Sequence, residues 1–227
     1  MSQVGAVSLF ATLRGDSRTG NGPLEAGGAP ADAQLIALAR EAPADALEAI
    51  YTAHRGRIYS FLLRFLSDPE MADDVTQETF TKAYTALPSL GSGHRVLPWL
   101  YRIASNAAID HVRRRKRFSW LRLGTIANTP EEPHMRDDHG RVPEREQIQT
   151  VLRGLPAENA IALLLHAVEG YSYNEIAEIQ GCTMTAVRSR IARARSAFRE
   201  AYDRAEETRA EETRAEETRA EETRQTE

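Results

Sequence analysis

The chain has 227 residues, 41% apolar and 7% aromatic, and its longest uncharged apolar run (residues 4–13) is too short to span a bilayer. No basic residue precedes that run and no small-residue cleavage site follows it, which argues against a secretory signal. The single cysteine, Cys182, excludes an internal disulfide framework and a Cys-rich zinc site. The net charge of −4 hides a division: residues 203–227 hold ten acids and five arginines, −5, so the other 202 residues carry +1. The expectation is a cytoplasmic chain without membrane insertion.

Residues 1–31 hold six of the 14 glycines and read as a leader. The first domain is expected over residues 32–118. Leu47, Ile50, Tyr51, His54, Ile58, Phe61, Leu62 and Phe65 recur at helical spacing and predict one long helix. Ser67, Asp68 and Pro69 stop it and start a second helix, which Pro88 ends. Ala72, Val75, Phe80, Ala83 and Leu87 form its apolar side. Asp73, Asp74, Gln77, Glu78 and Thr81 form its polar side. After a loop with Gly91 and Gly93, a third helix begins near Leu97 and runs into six basic residues over 111–122 with no acid.

Residues 119–143, with Pro130, Pro133, Pro143 and two glycines, read as a linker. The second domain is expected over residues 144–203. Ile148, Val151, Leu152 and Leu155 mark one helix, and Ile161, Leu164, Leu165 and Val168 mark another, ended by Gly170. Ser172 precedes Glu175 by the capping-box spacing, which predicts a short helix over residues 173–180. Gly181 then turns the chain into a last helix carrying five arginines and no acid over residues 183–199. Residues 204–227 are dominated by four copies of Ala-Glu-Glu-Thr-Arg. Five residues advance a helix by about 500°, so the repeat makes no apolar seam. It reads as disordered or as a solvated extension of the last helix. With no alternating strand pattern, the fold class is all-α.

A short capped helix, a glycine turn and an arginine-rich helix form a helix–turn–helix, the unit that sets a recognition helix in the DNA major groove. With Val187 facing the core, Ile191, Ala194 and Phe198 share its side. Thr185, Ser189, Ala192 and Ser196 lie opposite, flanked by Arg188, Arg193 and Arg199. Small groups permit close approach and arginines reach guanine edges or phosphates. On the third helix Arg102, Asn106, Asp110 and Arg113 form one polar stripe, with Trp99, Tyr101, Phe118 and Trp120 at its ends. Exposed bases stack on aromatics and phosphates require cations, so this pattern suits melted nucleic acid. A plain core role is as natural for Trp99, and more so for Tyr101.

These residues resemble a known family. The run Asp74-Val75-Thr76-Gln77-Glu78-Thr79-Phe80, then residues 99–110 from Trp99-Leu100-Tyr101-Arg102 to Asp110, then the arginine run, look like the σ2 domain of bacterial extracytoplasmic-function (ECF) sigma factors. Leu155-Pro156, residues 169–177, Val187-Arg188-Ser189-Arg190 and Arg193-Ala194-Arg195 look like the σ4 domain. The resemblance covers roughly residues 32–200. It implies a dissociable specificity subunit whose partners are core RNA polymerase and promoter DNA, with a place for an anti-sigma factor, and neither a cofactor nor a catalytic residue. Asp73, Asp74, Gln77, Glu78 and Thr81 would then bind core polymerase. Trp99, Arg102, Asn106, Asp110, Arg113, Arg114, Arg115, Lys116 and Arg117 would bind −10 DNA. Thr185, Arg188, Ser189, Arg190 and Arg193 would bind −35 DNA. The sequence departs from the family pattern at Thr185, Ala186, Asn159 and Ala160, which bears on the −35 sequence read.

The alternative is a stand-alone helix–turn–helix repressor or activator with an N-terminal dimerisation domain. A repressor has no need for aromatics and arginines beside melted DNA, so residues 99–117 separate the two. His134 and His139 with Asp137 and Asp138 make a poor metal site without fixed geometry, and Cys182 reads as a small half-buried residue.

Overall fold

The computed structural model describes residues 28–91, 93–123 and 143–226. They form helices α1 (Gly28–Glu41), α2 (Pro43–Leu66), α3 (Pro69–Ala86), α4 (Val96–Leu123), α5 (Pro143–Gly154), α6 (Ala157–Ala167), α7 (Tyr173–Gln180) and α8 (Met184–Thr226). A single 3-10 turn, Leu87–Ser89, follows α3. No strand occurs among the described residues, as expected for an all-α chain.

Local chemistry sets the breaks. Ser67 caps α2 in the left-handed region at φ 56°, its N–H reaching the Leu63 carbonyl. Asp68 caps α3 by accepting from the Met71 N–H at 3.1 Å, and Pro69 takes the tolerated first position. The α2 stripe buries Ile50, Ile58, Phe61, Leu62 and Phe65 against Val75, Phe80 and Ala83 of α3 and Leu100 and Ala104 of α4. Each fully buried large side chain contributes about 1.5–3 kcal/mol. Tyr51 stays exposed at the edge of the stripe, its ring edge-on to Phe80 at 4.8 Å. Thr76 and Thr79 are fully buried because their hydroxyls donate to the Ala72 and Val75 carbonyls, at 2.6 and 2.7 Å.

In the second domain Ile148, Leu152, Ile161, Leu164 and Leu165 pack with Ile176 and Ile179 of α7 and with Val187, Ile191, Ala194 and Phe198 of α8. The capping box at Ser172 is complete, with the side chains of Ser172 and Glu175 each accepting from the other's backbone N–H. Gly170 and Gly181 adopt φ 80° and 62°, a region that side chains with a Cβ rarely enter.

One boundary differs from the sequence expectation. Helix α4 runs to Leu123, past residue 118, because the basic run is made of good helix formers and meets no glycine before Gly124. Of the two forms expected for the repeats, the structure shows the helical extension of α8, through Thr226, since Ala, Glu and Arg are all strong helix formers. The leader through residue 27 and residues 124–142, including His134, Asp137, Asp138 and His139, lie outside the described residues.

The two domains touch. Helices α5 and α6 lie against α2, and α6 and α7 lie against α4.

Candidate nucleic-acid interface

The residues expected at the three surfaces lie on helices α3, α4 and α8. On α3, Asp74, Gln77 and Thr81 are exposed and Asp73 and Glu78 half-exposed, all on the side away from the core. Asp73 is held on two sides, accepting from Arg55 at 2.8 Å and from Gln77 at 2.9 Å. Arg55 also lies over the rings of Tyr51 and Tyr59, at 6.0 and 5.9 Å. Glu78 pairs with Lys82 one turn on, and the Thr81 hydroxyl donates to the Gln77 carbonyl.

On α4, Arg102, Asn106, Asp110 and Arg113 are all exposed, and Ala104, Ala107 and Ala108 are buried behind them. Arg114, Arg115 and Arg117 continue the exposed basic run, with the Arg114 Nε donating to the Asp110 carbonyl at 3.3 Å. The side chains of Lys116, Phe118 and Trp120 fall outside the described residues. The two aromatics at the start of the helix divide. Trp99 is only partly buried, whereas Tyr101 is fully buried and donates its hydroxyl to Glu169 at 2.6 Å. Burial, before the neighbouring Glu169 carboxylate, pushes the Tyr101 phenol well above its ordinary range. It is a core residue, and of the two only Trp99 keeps part of its surface exposed.

Trp99, Arg102 and Asn106 come together on one open cleft of about 490 Å³, whose wall is completed by Lys82, Leu90 and His94. The loop between α3 and α4 supplies the far wall, fixed by a turn in which the His94 N–H donates to the Gly91 carbonyl. An indole, an arginine, a lysine and a side-chain amide around an open space offer stacking, charge and base-edge hydrogen bonds at once. The sequence pattern marks three of these residues, Trp99, Arg102 and Asn106. It missed Lys82 and Ile103, whose only sequence signal is that helical spacing brings them beside the loop and Asn106.

On α8, Val187, Ile191, Ala194 and Phe198 face the core, and Thr185, Arg188, Ala192, Arg193 and Ser196 are exposed, as the 100° step requires. Ser189 is half-exposed and Arg193 Nε donates to its carbonyl. Arg190 departs from the expected face. Its guanidinium turns back onto the helix–turn–helix, 2.7 Å from Gln180 Oε1 and 3.3 Å from Cys182 Sγ, so it braces the turn.

Family models match in the same order as these surfaces: sigma-70 region 2 over residues 50–118 and sigma-70 region 4 over residues 145–198. The chain is 31% identical over 184 residues to the RNA polymerase sigma-H factor of Pseudomonas aeruginosa, covering 75% of this chain and 93% of that one. It is 35% identical over 153 residues to the ECF RNA polymerase sigma factor SigC of Mycobacterium tuberculosis, covering 67% and 80%. The chain is an ECF RNA polymerase sigma factor. A solved structure, CnrH in complex with the cytosolic domain of CnrY, shares the sigma factor's fold at a TM-score of 0.56 and 27% identity, over 76% of this chain and 97% of that one. A sigma factor serves transcription initiation, so the stand-alone repressor is not favoured. Among the described residues no helix is long and apolar enough to cross a membrane, and no cluster of His, Cys, Asp and Glu could hold a metal.

Proposed function

We propose that this sigma factor divides its work among the three surfaces. Asp73, Asp74, Gln77, Glu78 and Thr81 of α3 dock on core polymerase. Trp99, Arg102 and Asn106 take an unstacked −10 base, while Asp110, Arg113, Arg114, Arg115, Lys116 and Arg117 track the strand and its phosphates. Thr185, Arg188, Ser189 and Arg193 of α8 read the −35 duplex, with Arg190 holding the turn that aims them. The observation that carries this reading is the convergence of Trp99, Arg102 and Asn106 on one open cleft beside a basic helix. A duplex reader needs a protruding helix. A cleft with an indole in its wall suits a base that has already left the stack.

On this reading the protein's own chemistry is binding and strand capture rather than bond making, and it acts where polymerase meets DNA, in the cytoplasm. Inhibition by a dedicated protein partner belongs to the same proposal: the relative CnrH is solved in complex with the cytosolic domain of another protein.

The test is promoter opening. Trp99→Ala and Asn106→Ala should leave closed-complex formation near normal and reduce permanganate reactivity of −10 thymines, since stacking contributes about 1–3 kcal/mol per base. A Trp99→Ala protein that melts promoters normally would contradict the assignment. One that loses its helical circular-dichroism signal would return Trp99 to the core.

A further inference from the structure

Asp73 stands on the polar side of α3 with both carboxylate oxygens engaged. Its Oδ1 accepts from Arg55 at 2.8 Å, and its Oδ2 accepts from the Gln77 amide nitrogen at 2.9 Å. The two donors come from different elements. Arg55 reaches across from α2, whereas Gln77 lies one turn further along α3.

Arg55 is itself held in place. Tyr51 and Tyr59 lie one turn before and one turn after it on α2, and its guanidinium carbon stands 6.0 and 5.9 Å from their ring centres. A planar guanidinium suits stacking between rings and pairing with a carboxylate at the same time, which a lysine ammonium does less well. The chain of contacts therefore runs from two aromatic rings through Arg55 and Asp73 to Gln77.

The end of that chain has a consequence for binding. An amide whose nitrogen is committed to a carboxylate turns its oxygen the other way. Gln77 is exposed, so its Oε1 is presented on the surface as an acceptor. The Arg55 and Asp73 side chains are 44% and 40% exposed, and an ion pair so exposed adds little to stability. Its effect is on order. Fixing a rotamer-rich side chain opposes association, and a side chain already fixed in the free protein avoids that cost. Charge points the same way. Glu78 pairs with Lys82 at 2.7 Å as Asp73 pairs with Arg55. Two acids of the face are thus matched by cations of the same chain, and what the face offers is directed hydrogen bonding more than negative charge.

We propose that Arg55 is a positioning residue for core-polymerase docking: through Asp73 it fixes the Gln77 amide with Oε1 outward, toward a hydrogen-bond donor of the polymerase. The inference rests on the assignment of α3 as the docking face.

The experiment has two arms, both with the full chain. In the first, the side-chain amide signals of Gln77 are followed by NMR without polymerase. Arg55→Gln should shift them and increase their mobility, with helical circular dichroism unchanged, and Arg55→Lys should do so less. Gln77 signals indifferent to Arg55→Gln overturn the proposal. In the second arm, affinity for purified core polymerase is measured. Arg55→Gln should bind about fivefold more weakly, the scale expected for one side chain left unordered. Arg55→Lys should recover part of the loss. Gln77→Ala should weaken binding as well, and adding Arg55→Gln to it should cost nothing further, because Arg55 acts through Gln77. Losses that simply add overturn the positioning role. So does tighter binding by Arg55→Gln, which is the sign expected if the face acted by bare negative charge. If the Gln77 signals respond to Arg55 while Gln77→Ala binds core polymerase normally, the docking assignment of α3 fails and the coupling of Arg55 to Gln77 stands.

Discussion

Ser67 shows how a single position carries strain into the fold. It is the one non-glycine residue at positive φ among the described residues, and its hydroxyl is buried without a partner. Its neighbours Asp68 and Pro69 already commit the chain to a new helix, so Ser67 has to absorb the turn. Ser67→Gly removes both the Cβ clash and the orphan hydroxyl and should raise stability by about 1 kcal/mol, read as a higher denaturant midpoint with an unchanged slope. His54 shows a charge effect. Burial, opposed by Asp32 and reinforced by Arg57, lowers its pKa below the ordinary 6.5. The fold therefore favours the neutral ring, and the unfolded chain binds the extra proton first. Stability is fully present above pH 6.5 and declines as pH falls below it. The difference in stability between this chain and His54→Gln, followed from neutral to mildly acidic pH, should narrow as the native histidine loses its advantage. A difference that does not change with pH would contradict the burial of a neutral ring.

Helices were legible in the sequence wherever period and punctuation agreed. The α2 stripe, the Asp68-Pro69 start of α3 and the capping box of α7 each combine an apolar repeat with a chemically explicit end, and each falls where the sequence puts it. A boundary failed where only one signal was present: the end of α4 had no breaker at residue 118. The repeats, with strong helix propensity but no apolar face, left two readings open. The candidate site was legible in its helical part, since Arg102, Asn106, Asp110 and Arg113 follow from spacing alone. Side-chain direction was not legible: nothing in the sequence says that Arg190 turns back onto Gln180, or that Tyr101 reaches Glu169. The recognition helix carries the prediction that belongs at this scale. Arg188→Ala with Arg193→Ala should abolish dependence on the −35 element and leave the thermal midpoint nearly unchanged, since each arginine set on a guanine contributes about 1–3 kcal/mol of discrimination. Arg190→Ala should instead lower the stability of the second domain, and −35 dependence should survive at temperatures where that domain stays folded. Reversed outcomes would mean that the reading face is rotated by one position.

At the scale of the whole molecule, contacts distant in sequence decide the arrangement, and these were the least legible. Arg95 and Glu175 are 80 residues apart, and Tyr101 and Glu169 are 68 apart. No local period links them. What the sequence does show is division of charge: two acid-free basic stretches, residues 111–122 and 183–199, on separate domains, and an acidic repeat segment beyond them. That division fits a protein that meets DNA with two surfaces and needs a third party to hold them at the right spacing. The family assignment supplies the third party as core polymerase, which the proposed function seats on the polar side of α3. The central claim is thus that promoter recognition belongs to the assembly and not to the free chain. The most direct test is run-off transcription from a library of bacterial promoter fragments, with purified core polymerase, the full chain, or both. The account predicts discrete, promoter-specific transcripts only when both are present, with no footprint on duplex promoter by the free chain. A tight, sequence-specific footprint by the chain alone, with no new transcripts when core polymerase is added, would contradict it.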